Sequence, residues 1–368
     1  MSNRLMVKLN KKPCYDILIE NDLSALNNEI TNLYPEKRKL CIISESNVFP
    51  LWGEKVINTL KETGFEVLHY EFKAGEENKT LATVNKIYEF LIKEHFERRD
   101  VLVALGGGVC GDITGYAAAT YLRGIDFIQI PTTLLSFVDS SVGGKTGVDY
   151  KGYKNMVGAF KMPRLVYIDT EFLNTISDRM YYSGFAEVMK AALIKDGEFY
   201  EWLISNMYEI CEKDKDVVSE MIFRSVDIKR QVVEKDPFEK DERRLLNFGH
   251  TIGHAIEKYK KYTLSHGECV ALGCVAASYI SLKKGFITND EHYEIRDMFV
   301  PFNLPITVSD IEPKKILKIL KSDKKAKNGI VSFVLLKKPG KAFVCDEVSD
   351  KEILEGINAV FFDINAND

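Results

Sequence analysis

The sequence is poor in the patterns that mark disordered, secreted or membrane-spanning chains. It has only 10 prolines and 24 glycines in 368 residues, whereas 45% of its residues are hydrophobic and 28% are charged, which excludes disordered and collagen-like classes. The seven cysteines are scattered and form no CxxC pair, and the N-terminal residues carry charge in place of the apolar core of a signal peptide. These absences predict a globular protein of the reduced cytoplasm.

Charge of one sign and long hydrophobic runs are also missing. The 50 basic and 54 acidic residues leave a net charge of −4 without a long basic run, so we expect no nucleic-acid partner. The longest uncharged stretch, residues 269–282, has 14 residues. A membrane-spanning helix needs about 20, so this stretch predicts a buried helix, and we expect no membrane partner.

The first half of the chain alternates short β-rich runs with helical patterns such as residues 53–62 and 81–94. The β-rich runs are residues 39–44, 65–70, 100–105, 126–130 and 165–168. Such alternation predicts βαβ units around a parallel sheet. The length itself fits two domains, at about 150 residues each.

From residue 178 the pattern changes to successive helices. The predicted helices are residues 178–195, 197–211, 215–234, 239–260, 266–284, 289–299 and 313–321. Two late β-like runs, residues 330–336 and 341–345, predict a hairpin before a last short helix. The predicted fold class is therefore α/β, with a parallel-sheet domain at residues 1–175 and a mainly α-helical domain at residues 176–368. Ligand sites favour the crevices between domains.

A glycine-rich turn follows the predicted strand that ends at residue 105. Gly106, Gly108 and Gly111 match the G-x-G-x-x-G pattern, in which missing side chains let backbone N–H groups approach a pyrophosphate at a helix N-terminus. A tight strand-to-helix turn without a ligand explains the same glycines. The usual fingerprint follows the first strand of its domain, whereas this motif follows a later strand. The sequence therefore favours a nucleotide site that differs from the usual arrangement.

A second glycine-rich stretch, residues 139–147, resembles a phosphate-binding Walker A loop. Asp139 replaces its first glycine, and no strand leads straight into the loop, so we exclude an ATPase. Lys145 could still meet a substrate oxyanion as a point charge, and Lys154 and Asn155 could extend such a pocket. A solvated loop lysine is the alternative interpretation of Lys145.

Three of the six histidines, His250, His254 and His266, lie within 17 residues. On the predicted helix over residues 239–260, Arg243, Asn247, His250 and His254 form one stripe. Solvent-facing stripes usually carry lysine and glutamate, whereas this one carries groups that bind anions and metals. The stripe therefore favours a functional cleft over a solvent face.

The spacing of the histidines leaves the composition of a metal site open. His250 and His254 at i, i+4 could share one ion, but Thr251 stands where a zinc peptidase needs its glutamate, which argues against a protease. His266 is a third candidate. Because two histidines and one carboxylate leave metal positions open for substrate, Glu187 is a candidate as well.

The segment around Glu187 also carries Lys190 on the same helical face. A surface ion pair between these two residues is the alternative to a functional interpretation.

Taken together, six ordered motifs resemble those of the 3-dehydroquinate synthase family, whose members catalyse the second step of the shikimate pathway. The motifs are GGGVCGD at 106–112, IPTT at 130–133, SVGGKT at 141–146, GFAEVMK at 184–190, NFGHTIGHA at 247–255 and HGE at 266–268. The resemblance implies a Rossmann-like NAD-binding domain and a mainly helical metal- and substrate-binding domain. It also implies a cytoplasmic homodimer.

The resemblance implies a phosphate-eliminating lyase. Its substrate would be 3-deoxy-D-arabino-heptulosonate 7-phosphate, and its products 3-dehydroquinate and phosphate, formed through transient oxidation by NAD with a zinc or cobalt ion present. The implied metal ligands are Glu187, His250 and His266, while His254 faces the substrate.

The resemblance also assigns the remaining contacts residue by residue. The implied NAD contacts are Glu45, Asn47, Gly75, Glu76, Lys79, Gly108, Val109, Cys110, Gly111, Asp112, Thr132, Thr133, Lys145, Lys154, Phe172, Leu173, Asn174 and Thr175. The implied substrate contacts are Arg123, Asp139, Lys145, Lys154, Asn155, Lys190, Lys229, Arg243, Asn247, His254 and Lys324. Most of the second set are basic, as a substrate with carboxylate and phosphate groups requires.

Two departures from the family pattern are visible. Glu45 stands where the family has an aspartate for the adenosine ribose, and Ala191 and Ala192 replace the more usual Tyr-Gly. Three alternatives remain open: a sugar phosphate cyclase with another substrate, a metal-dependent NAD polyol dehydrogenase, and a catalytically silent binding protein.

Overall fold

A computed structural model describes residues 3–324 and 331–362, and for residues 323 and 324 it describes the backbone only. The chain divides into two compact units. The first comprises Met1–Ser177 and Lys229–Phe238, and the second comprises Asp178–Ile228 and Glu239–Asp368. The sheet of the first unit and the helices of the second confirm the predicted α/β fold class.

The first unit is built on a seven-stranded sheet. Its strands and those of an adjoining hairpin are β1 Arg4–Leu9, β2 Lys12–Glu20, β3 Lys39–Glu45, β4 Glu66–Phe72, β5 Val101–Gly106, β6 Asp126–Pro131, β7 Lys145–Tyr150, β8 Tyr153–Phe160 and β9 Leu165–Asp169. The sheet order is β1-β2-β9-β6-β5-β3-β4, and all neighbours are parallel except β1 and β2. Strands β7 and β8 pair separately.

The helices of the first unit lie between these strands in the chain. They are α1 Leu26–Leu33, α2 Glu54–Lys61, α3 Leu81–Lys93 and α4 Gly108–Thr120. Strand β5 is buried along its whole length, as expected for a parallel strand covered on both faces. Such continuous apolar runs explain why the sequence correctly located β3, β5, β6 and β9.

Strands β1, β2, β7 and β8 were not predicted. In β2 the period-two signal is only partial, because Tyr15, Ile17 and Ile19 are buried at alternate positions but Leu18 is buried as well. Strand β8 is exposed at most positions, so its sequence carries no buried pattern.

The second unit is mainly helical. Its helices are α5 Asp178–Lys195, α6 Gly197–Ser205, α7 Met207–Cys211, α8 Lys215–Lys235, α9 His250–Tyr259, α10 His266–Lys283, α11 Asn289–Asp297, α12 Pro313–Lys324 and α13 Asp350–Val360, and its hairpin strands are β10 Phe333–Lys338 and β11 Lys341–Cys345. Helix α10 contains residues 269–282 and is buried almost all round, as predicted. Within the described ranges, no helix combines the length and apolarity needed to cross a membrane.

Several of the predicted elements differ in their bounds. Residues 197–211 form two helices, because Asn206 leaves the helical conformation and its side-chain amide donates to Trp202 O at 2.8 Å. The first hairpin strand begins at Phe333, and residue 330 lies outside the described residues. The last residues of α8 belong to the first unit, where Lys8 N donates to Glu234 Oε1 at 2.8 Å.

The prediction of one helix over residues 239–260 is wrong. A short 3-10 helix covers Glu242–Asn247, and α9 begins only at His250. Gly249 between them has φ +76°, a left-handed conformation that ends any continuous helix. Arg243 and Asn247 therefore do not share a helical stripe with the histidines.

Gly249 also brings α9 close to α10. A Cβ atom at Gly249 would lie 2.6 Å from Cys274 Sγ, and one at Gly253 would lie 2.5 Å from Cys269 O. Only glycine permits this approach, which sets Gly249 beside the middle of α10 and Gly253 beside its first turn. The fold thus places two of the candidate metal ligands, His250 and His266, at the N-termini of adjacent helices.

Candidate active site

The glycine-rich turn joins β5 directly to α4. A Cβ at Gly108 would lie 2.9 Å from Ser140 Oγ, and one at Gly111 would lie 2.5 Å from Gln129 Oε1 on β6. These glycines therefore let α4 pack closely on its surroundings. The first N–H groups of a helix have no partner within the helix, so the N-terminus of α4 can accept an anion at the end of β5.

Most of the other nucleotide candidates follow neighbouring parallel strands. Glu45 ends β3, Thr132 follows β6, and Phe172 lies in the 3-10 helix after β9. Because β3, β5, β6 and β9 are adjacent and parallel or joined through parallel neighbours, their carboxyl ends share one edge of the sheet. In open α/β sheets this edge is the usual place for a ligand.

Several residues predicted to contact the nucleotide have side chains that are buried in the core. Cys110 is fully buried and its thiol donates to Ile43 O at 3.2 Å. Phe172 is also fully buried, and its ring packs edge-on against Trp52 at 4.8 Å. Residues of this kind can meet a cofactor only through their backbone atoms.

Lys79 is the centre of a polar network in the first unit. Its Nζ donates to Asp112 Oδ2 and to Asn155 Oδ1, both at 2.6 Å. Burial raises the pKa of Asp112, although the nearby Lys79 opposes that rise. Burial by itself would lower the pKa of Lys79, but Asp112 and Glu76 outweigh it and raise that pKa. Two cofactor candidates and one substrate candidate are thus joined, although they are distant in sequence.

A second ion pair links Asp139 with Lys229. The Nζ of Lys229 lies 2.5 Å from Asp139 Oδ1, and Lys229 is buried at the C-terminal part of α8. Lys145, by contrast, is exposed at the first position of β7. A Walker A lysine begins a helix, so a strand here agrees with the exclusion of an ATPase.

Glu187, His250 and His266 lie together in the second unit. Glu187 Oε1 is 3.4 Å from His250 Nε2 and 3.1 Å from His266 Nε2, and the three candidate ligand atoms all lie within 4.8 Å of one another. His250 Nδ1 lies 3.0 Å from Phe248 O. A proton on this Nδ1 can be donated to the carbonyl, which leaves the Nε2 lone pair directed at the cluster. One carboxylate and two imidazoles so arranged fit a divalent metal ion.

Lys190 makes a buried ion pair with Glu187, so the surface-pair interpretation is wrong. Both side chains are almost fully buried, and Lys190 Nζ contacts Glu187 Oε2. Burial alone would raise the pKa of Glu187, but Lys190 and the two histidines hold it well below its usual range. The carboxylate is therefore ionised, as a metal ligand must be.

The remaining substrate candidates lie in different surroundings. Arg243 is buried, and the side-chain amide of Asn247 donates to Glu239 Oε1 at 3.0 Å. The exposed His254 lies one turn after His250, with ring centroids 5.0 Å apart. Arg123 is exposed at φ +69°. The side chain of Lys324 lies outside the described residues.

Sequence reasoning missed two carboxylates near these groups. Glu239, with φ +56°, accepts from Asn247, and no periodic pattern marks a residue in such a bend. Glu257 belongs to a second cluster, with His254 and His266, whose ligand atoms lie within 4.8 Å of one another. Its position three residues after His254 was a signal available in the sequence.

Comparisons with known proteins cover nearly the whole chain. The family "3-dehydroquinate synthase N-terminal" matches residues 69–183, and "3-dehydroquinate synthase C-terminal" matches residues 184–326. The chain is 41% identical over 358 residues to a 3-dehydroquinate synthase of Acetivibrio thermocellus, covering 96% of this chain and 99% of that protein.

Two solved structures are similar in fold. A 2-epi-5-epi-valiolone synthase from Streptomyces hygroscopicus, with NAD+ and Zn2+ bound, has a TM-score of 0.88 at 27% identity and covers 97% of this chain and 99% of that one. A 2-deoxy-scyllo-inosose synthase, complexed with carbaglucose-6-phosphate, NAD+ and Co2+, has a TM-score of 0.85 at 26% identity, covering 96% and 99%.

Proposed function

Because the chain belongs to the 3-dehydroquinate synthase family, we propose that it converts 3-deoxy-D-arabino-heptulosonate 7-phosphate to 3-dehydroquinate and phosphate. This is a carbon–oxygen lyase reaction without net redox change, a step of the shikimate pathway that leads to chorismate and the aromatic amino acids. The observation that carries the proposal is the cluster of the buried Glu187 with His250 and His266, beside the buried Lys190. We further propose that the protein is cytoplasmic and forms a homodimer. Sedimentation equilibrium tests the homodimer.

The proposed cofactors are NAD and one zinc or cobalt ion, as in the two similar structures. When bound, NAD would supply reversible hydride transfer at carbon 5 of the sugar, and the ion would supply Lewis-acid stabilisation of the reacting hydroxyl. Glu187, His250 and His266 would hold the ion, because their ligand atoms lie within 4.8 Å of one another. Lys190 neutralises part of the charge on Glu187.

The proposed nucleotide site uses the helix N-terminus at Gly108 and the network around Lys79. The buried Lys79 fixes Asp112 and Asn155 through charge-assisted hydrogen bonds, so both are held in place before a ligand arrives. Preorganised groups of this kind lower the cost of binding.

Basic side chains hold the phosphate and carboxylate of the substrate in this proposal. Arg243 offers a planar set of donors suited to a phosphate, while Lys145 offers a point charge. The exposed His254 is placed to bind the phosphate or to pass a proton near it. The departing phosphate can itself remove the neighbouring proton.

The test is incubation with the heptulosonate phosphate and catalytic NAD, following released phosphate and the cyclised product. We expect both products in equal amounts without accumulated NADH. Net NADH formation from a simple polyol would instead identify a dehydrogenase. Glu187→Gln should purify with little metal and turn over at least about 100-fold more slowly, since a metal supplies several kcal/mol of transition-state stabilisation. Asp178→Asn, on the exposed first turn of the same helix, is the matched control.

A cyclase that acts on another sugar phosphate is the second candidate. It is favoured by the fold similarity to the two other cyclases, one of which is complexed with carbaglucose-6-phosphate. The same phosphate-release assay with glucose 6-phosphate distinguishes the two. Release from glucose 6-phosphate alone would replace the dehydroquinate proposal.

A further inference from the structure

Glu257 is a buried carboxylate for which the proposed function has no role. It lies on α9, three residues after His254 and seven after His250, so all three share one face of the helix. Its exposed fraction is only 5%, and its carboxylate lies within 4.8 Å of a ring nitrogen of both His254 and His266. A buried carboxylate is costly unless hydrogen-bond donors or cations face it. The two imidazoles are such donors.

His266 needs an acceptor on the side of its ring that faces away from the metal cluster. Its Nε2 lies 3.1 Å from Glu187 Oε1, so Nε2 is the nitrogen that faces the proposed ion. An imidazole that binds a metal through one nitrogen almost always donates the N–H of the other to a carboxylate, a carbonyl or water. His250 shows this arrangement, with Nδ1 3.0 Å from Phe248 O.

We propose that Glu257 is a positioning residue that accepts a hydrogen bond from the Nδ1–H of His266. The bond fixes the ring with Nε2 directed at the ion, and the negative charge of the carboxylate makes the imidazole a stronger ligand. The inference rests on the proposed metal cluster of Glu187, His250 and His266. Glu257 then has the same role for His266 that Phe248 O has for His250, because each accepts the N–H of the ring nitrogen that faces away from the ion.

A second metal ion held by His254, Glu257 and His266 is the competing explanation. His266 would then belong to both clusters. A neutral imidazole has only one nitrogen lone pair for a metal, so two ions on His266 would require loss of its one N–H proton to give an imidazolate. A single ion with an outer carboxylate requires only the ordinary neutral ring, and the geometry therefore favours the positioning role.

The experiment compares Glu257→Gln with the wild-type full chain. Glutamine keeps the size and the acceptor oxygen but removes the charge. We expect zinc affinity, measured by competition with a chromogenic chelator, to fall 10- to 100-fold. We also expect a shifted visible spectrum of the cobalt-loaded protein, while the melting temperature of the metal-free protein stays unchanged. Glu355→Gln, on α13 and outside both clusters, is the control and should match the wild type.

Four outcomes would overturn the positioning role. Unchanged zinc affinity and cobalt spectrum would show that Glu257 does not act on the ion. Loss of a second metal equivalent would make it a ligand instead. A raised substrate KM with unchanged zinc affinity would show that it acts through His254. Absence of metal binding by the wild type would remove the proposed cluster itself, which separates that failure from the others.

A second variant covers the case in which Glu257→Gln does not fold. Glu257→Asp keeps the charge but shortens the side chain by one methylene group. We expect it to weaken zinc binding several-fold, less than glutamine is expected to do. Zinc affinity equal to that of the wild type would overturn the proposal here too.

Discussion

Lys145 differs from three of the other candidate lysines in its surroundings. Lys79, Lys190 and Lys229 are buried and paired with carboxylates, whereas Lys145 is exposed at the start of β7. Buried ion pairs hold their members in one geometry. The exposed position of Lys145 leaves it accessible to a substrate anion.

Replacement of Lys145 by alanine tests its proposed substrate role. Loss of one charge-assisted hydrogen bond costs about 1.5–3 kcal/mol, so we expect kcat/KM to fall on the order of 10- to 100-fold. Steady-state kinetics measure this, while metal content and NAD affinity should stay close to wild type. Lys151→Ala, in the turn of the same hairpin, is the control. Wild-type kinetics of Lys145→Ala would identify a solvated loop lysine.

The buried Asp169 should make the stability of the protein depend on pH. It is fully buried, and burial raises its pKa from 3.8 to about 6, although Glu171 N donates to its Oδ1 at 2.8 Å. The folded state therefore favours the protonated carboxyl. The contribution of Asp169 to the free energy of unfolding is therefore fully present below pH 4 and is lost as the pH rises through about 6.

Asp169→Asn should remove this pH dependence. Between pH 4.5 and 7.5 we expect the variant to gain about 2 kcal/mol in free energy of unfolding relative to the wild type. Urea unfolding at both pH values measures the difference, and Asp178→Asn at the exposed start of α5 serves as the control. Parallel pH profiles of Asp169→Asn and wild type would contradict the prediction.

At the scale of elements, the contact of α9 with α10 positions the candidate ligands. A Cβ at Gly273 would lie 1.7 Å from Gly249 O, and one at Gly253 would lie 2.5 Å from Cys269 O. In both places the neighbouring atom belongs to the backbone, which cannot turn aside as a side chain can. Any larger residue must push the helices apart, and His250 and His266 with them.

Gly253→Ala separates helix propensity from packing. Propensity alone would stabilise α9 by about 1 kcal/mol, but the overlap with α10 should give a net loss of about 1–3 kcal/mol. Zinc affinity should fall as well. Gly356→Ala on α13 is the comparison and should cost less, because its closest contact is the side chain of Ile280 at 2.8 Å and the nearest backbone atom, Ala276 O, would lie 3.2 Å away. Thermal unfolding and chelator competition measure both effects, and a more stable Gly253→Ala protein would contradict the packing argument.

The elements that the sequence predicted well have a strong local pattern. Strand β5 is apolar along its length, and α10 begins at a capping box formed by Ser265 and Glu268. The continuous helix over residues 239–260 was predicted on the same kind of periodicity and was wrong. Its break depends on the left-handed conformation of Gly249, which the packing against α10 requires.

At the scale of the whole molecule, metal binding should couple to stability. An ion that binds only the folded state stabilises it by about 2.7 kcal/mol at a concentration 100 times its Kd. Removal of metal with a chelator should therefore lower the melting temperature, and zinc or cobalt should restore it. Differential scanning calorimetry measures the change. Glu187→Gln should not respond to either ion, and a response equal to wild type would contradict the assigned cluster.

The sequence by itself determined the alternation of strands and helices, the glycine turn after β5 and the types of residue offered as ligands. These features depend on neighbours within a few positions, so they can be recognised along the chain. The six ordered motifs that identified the family are likewise local runs of residues.

Only the tertiary structure decided which distant side chains meet. It placed Lys79 with Asn155, Asp139 with Lys229, and Glu187 with His250 and His266. It also set Glu257 beside His266, a pairing that spacing alone did not distinguish from an ordinary helix face. Such contacts depend on how separate elements pack, and the energy of that packing is spread over many residues without a pattern in any one segment.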